Sequence, residues 1–158
     1  IGVGRRLTVR YSRTLAPAVS KARYFTLNLL NSTYMSEEAR AVVDELCKEY
    51  GSAVRAIATY DHDGYTLQYT GETVREEYSP SSIENIYDDL VIQDLNHGFQ
   101  EELFTDMGEV RGKFRLFEHG TVAHFWPTDD DDGLFVAFDE TVDPGARTLL
   151  SIVEQYYA

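Results

Sequence analysis

Ala53-Val54-Arg55-Ala56-Ile57-Ala58-Thr59-Tyr60-Asp61-His62-Asp63-Gly64-Tyr65-Thr66-Leu67 is the stretch whose reading decides the fold. Val54, Ala56, Ala58 and Tyr60 alternate with Arg55, Ile57 and Thr59. That period of two belongs to a strand with two different faces. Asp61-His62-Asp63-Gly64 then reverses the chain, and Tyr65, Leu67 and Tyr69 alternate on the way back. Asp-Gly is the strongest short-range hairpin signal, because both residues tolerate the positive φ of a tight turn. Two aspartates around His62 also resemble a metal trio, but a hairpin tip needs the same residues for backbone reasons, so no metal is assigned.

Upstream of the hairpin, Ser36 can cap a helix whose first turn holds Glu37 and Glu38, where the helix dipole favours anions. Ala39, Val42, Val43, Leu46, Cys47 and Tyr50 form its apolar stripe, and Gly51 closes it. Cys47 lies on that stripe and reads as a small core residue; as the single cysteine of the chain it excludes an internal disulfide.

Downstream, residues 71–80 read as a polar loop. Pro80-Ser81-Ser82 leads into a long helix through Ile83, Ile86, Tyr87, Leu90, Val91, Leu95, Phe99 and Leu103. Its stripe widens to Ile92, which predicts a helix buried on more than one side, by the core and by a second subunit. Asn96-His97-Gly98 weakens or kinks it. Three strands follow at Glu109–Phe117, Thr121–Trp126 and Leu134–Phe138, separated by turns at Glu118-His119-Gly120 and at Pro127 with Asp129–Asp132 and Gly133. The Asp run lacks the spaced ligands and closing Glu of a calcium loop and reads as a solvated turn. Asp143 and Pro144 open a final helix striped by Leu149, Leu150, Ile152, Val153, Tyr156 and Tyr157. The order is α-β-β-α-β-β-β-α, an α+β fold with an antiparallel five-stranded sheet and helices on its faces.

Charge divides the chain at Met35. Residues 1–34 carry Arg5, Arg6, Arg10, Arg13, Lys21 and Arg23 and no acid, whereas residues 35–158 hold all 27 acids against eight cations. The reading is one acidic domain over 35–158 and a basic leader over 1–34 that stands outside the fold, disordered or the product of a start site placed too early. The acidity argues against a nucleic-acid partner, since phosphate binding needs cations. No run of 18 apolar residues is present, so no membrane-spanning helix is expected. Scattered acids with almost no lysine resemble the cytoplasmic proteins of salt-loving archaea, where molar salt screens self-repulsion. A cytoplasmic location is expected on that basis.

A search for chemistry finds little. There is no phosphate-binding glycine loop, since Gly2-Val3-Gly4 lacks the strand–helix setting, and no Gly-x-Ser-x-Gly, His-Glu-x-x-His or Cys-x-x-Cys motif. His119 and His124, with Glu118, form the best acid–base or metal candidate, facing one another across the turn. Tyr65, Phe114, Phe125 and Trp126 are the aromatics that would surround a small-ligand pocket. Arg111, Lys113 and Arg115 alternate on one strand and so point to one face, as edge protection by charge or as contacts to acids of a partner protomer or a covering helix. No catalytic residue, metal ligand or cofactor is assigned.

The element order, the hairpin at 53–67, and the closing Phe135-Val136-Ala137-Phe138-Asp139 with Val142-Asp143-Pro144-Gly145-Ala146 resemble the roadblock/dynein-light-chain domains, relatives in fold of longin and profilin-like domains. The resemblance covers residues 36–157, and the loop at 71–80 and the many aromatics mark a divergent, haloarchaeal version. What the resemblance implies is a non-enzymatic cytoplasmic module. It would dimerise through its long middle helix and third strand, here Ile83–Phe104 and Glu109–Phe117, and act as a scaffold or regulator of a small GTPase or signalling complex. Leu90, Ile92 and Phe99 on the helix and Arg111, Lys113 and Arg115 on the strand are then the expected interface. The alternatives are a longin/PAS-like ligand-sensing domain and a small enzyme or metal site using His119 and His124. The charge reading carries its own test: the thermal midpoint should rise by several degrees between dilute buffer and molar KCl, and an unchanged midpoint would show that self-repulsion does not limit stability.

Overall fold

The computed structural model describes residues 9–12, 36–61, 64–94, 97–126 and 133–157. In chain order these are β1 (Val9–Ser12), α1 (Glu37–Tyr50), β2 (Val54–Asp61), β3 (Gly64–Thr70), α2 (Glu72–Glu77), α3 (Pro80–Asp94), α4 (His97–Leu103), β4 (Gly112–Phe117), β5 (Gly120–Phe125), β6 (Gly133–Asp139) and α5 (Ala146–Tyr157). The strands form one sheet in the order β1-β3-β2-β6-β5-β4, with every neighbouring pair antiparallel.

The five expected strands and the α+β architecture are all present. The hairpin pairs as its alternation requires, Tyr60 with Tyr65 and Asp61 with Gly64. Ser36 Oγ accepts from the Ala39 N–H at 3.1 Å and caps α1. Gly51, at φ 56°, ends that helix in the left-handed region and returns its N–H to the Cys47 carbonyl.

Several features differ from the sequence reading. The leader is read as standing outside the fold, yet its residues Val9–Ser12 run along β3, Val9 opposite Leu67 and Ser12 opposite Gly64. An unpaired β3 edge offers a free ladder, and a short extended segment can complete it. The polar loop at 71–80 contains α2, held by the Gly71 N–H on the Arg55 carbonyl at 2.7 Å and by burial of Val74. One apolar anchor among charged residues leaves no periodic signal. The long middle helix is recorded as α3 and α4, with residues 95–96 outside the described set. The strand read from Glu109 begins only at Gly112, because the Val110 N–H turns to the Glu101 carboxylate at 2.8 Å. The last helix likewise begins at Ala146, the Leu149 N–H donating to the Gly145 carbonyl at 2.9 Å.

One face of the sheet is a filled core. Val42, Val43 and Leu46 of α1 and Leu149 and Val153 of α5 pack on Ile57, Phe125, Leu134, Val136 and Phe138. Cys47 is packed against the edge of this cluster, as its place on the stripe predicts. Tyr50 meets Phe138 edge-on at 5.1 Å, and Phe114 meets Phe125 at 5.8 Å. Leu46 has no exposed surface at all. Leu46→Ala should therefore cost about 3 kcal/mol, read as a lower urea midpoint with an unchanged slope; a loss under about 1 kcal/mol would mean that α1 does not seal this core.

Candidate functional site

The opposite face of the sheet is built differently. Strand alternation sends Ala56, Ala58 and Tyr60 of β2 there, with Phe135 and Ala137 of β6, Val122 and His124 of β5, and Lys113 and Arg115 of β4. The register lines these side chains up in rows across the strands. One row runs Ala58, Phe135, His124, Lys113, and the next runs Ala56, Ala137, Val122, Arg115. The helix α3 lies above, its Tyr87 ring 5.9 Å from Tyr60 and 4.6 Å from Tyr65.

The tall row ends in a buried polar chain. The Trp126 indole N–H donates to the Tyr60 hydroxyl oxygen at 3.1 Å, and that hydroxyl lies 2.8 Å from His124 Nε2. The indole can only donate, so the arrangement that uses every donor has Tyr60 donate to Nε2 and places the ring proton of His124 on Nδ1. His124 has no exposed surface and is held between Phe135 at 4.0 Å and Trp126 at 4.2 Å. The Tyr60 ring can lie here only because Gly133 opposite it has no side chain; a Cβ at that position would run into the ring.

The low row leaves a hollow. A cavity of about 810 Å³ opens between α3 and the sheet, over Ala56, Ala137 and Val122, with Ile83, Ile86 and Leu90 above and Arg115 among its polar lining groups. At the far side of the sheet, among the described residues, β4 is the edge strand. Its end carries Leu116, 81% exposed, and Phe117, 61% exposed.

The residues singled out from sequence fall into separate places. His119 and His124 do not converge. His119 is exposed and bonded to Glu140 at 2.8 Å, with Glu118 at 3.9 Å, whereas His124 is sealed on the sheet face, about 16 Å of extended strand away. The Arg111–Arg115 stripe is also divided. Arg111 precedes the strand and reaches Glu109 and, on α5, Glu154, both at 3.3 Å. Lys113 lies over the Trp126 ring at 5.6 Å, and Arg115 lines the cavity. Phe114 and Phe125 belong to the filled core, so the four aromatics do not enclose a common pocket; only Tyr65 borders the cavity. Leu90 of α3 borders it too, while the side chains of Ile92 and Phe99, like the turn residues His62 and Asp63 and the run Asp129–Asp132, lie outside the described set. Among the described residues, no three His, Cys, Asp or Glu side chains are grouped to hold a metal, and no helix is long and apolar enough to cross a membrane.

Tyr60, Ala56 and Ala137 are the residues that sequence reasoning passed over. Their signal was available: alternation places Ala56, Ala58 and Tyr60 on one face, and small residues on a strand mark where that face is hollow.

A family model described as a domain of unknown function, DUF7522, matches residues 40–158. The chain belongs to this family. No curated protein matches it. Among solved structures, the gliding protein MglB from Thermus thermophilus is similar, with 16% identity and a TM-score of 0.51 over 79% of this chain and 93% of MglB. A second MglB structure, described as having a tetrameric arrangement, matches with 16% identity and a TM-score of 0.50 over the same shares. MglB has the roadblock/longin fold, and the likeness shows that this DUF7522 chain has it as well.

Tyr60→Phe tests the polar chain. It strips both His124 Nε2 and the Trp126 N–H of a partner and should cost about 1–3 kcal/mol, with a shift in the emission of the chain's single tryptophan. Unchanged stability and emission would mean that water replaces the hydroxyl without loss.

Proposed function

We propose that this protein is a non-enzymatic, dimeric scaffold or regulator whose partner is a small GTPase or a signalling complex, and that it works in the cytoplasm. The observation that carries the reading is the β4 edge. Among the described residues this strand has a neighbour on one side only, and its end presents Leu116 and Phe117 to solvent. The chain leading to it exposes Leu103, Phe104 and Met107. An open ladder with apolar side chains at both ends is a template for pairing with a second copy, strand to strand. The roadblock fold supports the same view, and one MglB structure is described as a tetramer, which is said of MglB and lends self-association a precedent in this fold. Leu90, Ile92 and Phe99 of the middle helices, with Arg111, Lys113 and Arg115 beside the edge, complete the proposed interface. The separation of His119 from His124 supports the non-enzymatic part of the reading.

A ligand-sensing role is the second reading, and the cavity under α3 is the observation that favours it.

Light scattering in molar KCl should give twice the monomer mass for the native chain. Leu116→Asp/Phe117→Asp should give a monomer with an unchanged circular dichroism spectrum. A native chain that stays monomeric at high concentration, or a double variant that stays dimeric, contradicts the β4 interface. Capture of a GTPase from lysate in molar KCl by the native chain, and its loss with the double variant, would extend the reading to the partner.

A further inference from the structure

The cavity under α3 has a shape and a charge balance that strand pairing at β4 does not require. Its floor is the row Ala56, Ala137, Val122, in direct register across β2, β6 and β5. The adjacent row holds Phe135 and His124, so the floor steps down beside it. The helix does not compensate: Ile86 stands over the hollow and is still 44% exposed. A volume of about 810 Å³ lies within the roughly 300–1,000 Å³ of pockets that enclose a small organic molecule. The row is also long. From β2 to β4 it crosses three strand spacings, about 14 Å.

The charges at its border cancel and are already engaged. Two arginines, Arg55 and Arg115, stand with two acids, Asp89 and Glu118, and with His119. Arg55 lies 3.6 Å from Glu77 of α2, and His119 is bonded to Glu140 at 2.8 Å with Glu118 at 3.9 Å. Asp89 and Arg115 each take part in an interaction of their own. A guest that carried an ionised group into this space would give up its hydration without gaining a counter-charge, and burying a charge is costly unless it is paired. An uncharged guest meets no such cost, and the alanine floor with Ile83, Ile86 and Leu90 above offers it hydrocarbon on both sides.

We propose that the cavity binds an elongated, uncharged, apolar molecule laid along Ala56, Ala137 and Val122. This rests on the ligand-sensing reading above and gives it a ligand class. Affinity comes from hydrocarbon removed from water. Selection against anions and cations of the same length comes from stripping an ion of its hydration where the bordering charges are already engaged.

Calorimetric titration of the full chain in molar KCl with decanol, decanoate and decyltrimethylammonium tests this. Decanol should bind once per protomer, roughly tenfold or more tighter than either ion. Ala137→Phe, or Ala56→Leu where the first does not fold, should abolish that binding by filling the hollow. Decanol binding that survives in the folded variant overturns the proposed site. An ion that binds as tightly as decanol, and is lost in the same variant, overturns the uncharged ligand class while leaving the ligand-sensing reading in place. Failure of all three to bind overturns both.

Discussion

The central strand β2 is buried on one face and half-covered on the other, and the rest of the structure follows from that. It pairs with β3 on one side and β6 on the other, so it has no edge at which to meet water. Val54 and Ile57 require a cover on one face, and Ala56, Ala58 and Tyr60 require one on the other. A single helix layer could satisfy only half of this. The chain therefore sets α1 and α5 on one face and α3 on the other, which fixes the layer order before any finer contact is considered.

The two covers are not equivalent, and function has room only on one. The α1/α5 face is filled by large aliphatic and aromatic side chains with exposures near zero. On the α3 face, volume is distributed unevenly. Tyr60, His124, Phe135 and Trp126 crowd one end, where hydrogen bonds and ring contacts fix their rotamers. The alanines at 56 and 137 leave the other end open. The rigid end thus serves the hollow end: because Gly133 lets the Tyr60 ring lie against the sheet, α3 can rest on Tyr60 and Tyr65 without settling onto the alanine row.

What was legible in the sequence was what depends on near neighbours. The Asp-Gly hairpin, the Leu46 stripe and the strands at 121–126 and 134–138 are local patterns, and each appears as read. What was not legible depends on distant partners. No pattern within 71–80 reveals that Gly71 will bond the Arg55 carbonyl, or that Val74 alone will anchor a helix. The late start of β4 has the same origin, since the distant Glu101 carboxylate takes the Val110 N–H. The histidines mislead in the opposite sense. They are close in sequence, but extended backbone separates residues 119 and 124 and sends only the second to the buried face. Fold was readable because it rests on periodicity; the site was not, because a cavity is defined by what rows from four strands fail to fill.

The cations of β4 make the final link between charge and association. Edge strands are ordinarily kept apart by charged side chains held toward solvent. Here the three cations of this segment serve the protomer itself: Arg111 is drawn to Glu109 and Glu154, Lys113 lies on Trp126, and Arg115 closes the cavity. Each such contact is modest on a partly exposed surface, yet together they turn positive charge inward along the edge. The side chains left outward at the end of β4 are Leu116 and Phe117. An edge whose cations are also engaged within its own fold, and whose apolar groups at the end of the strand are directed out, is less defended against strand pairing than its sequence implies.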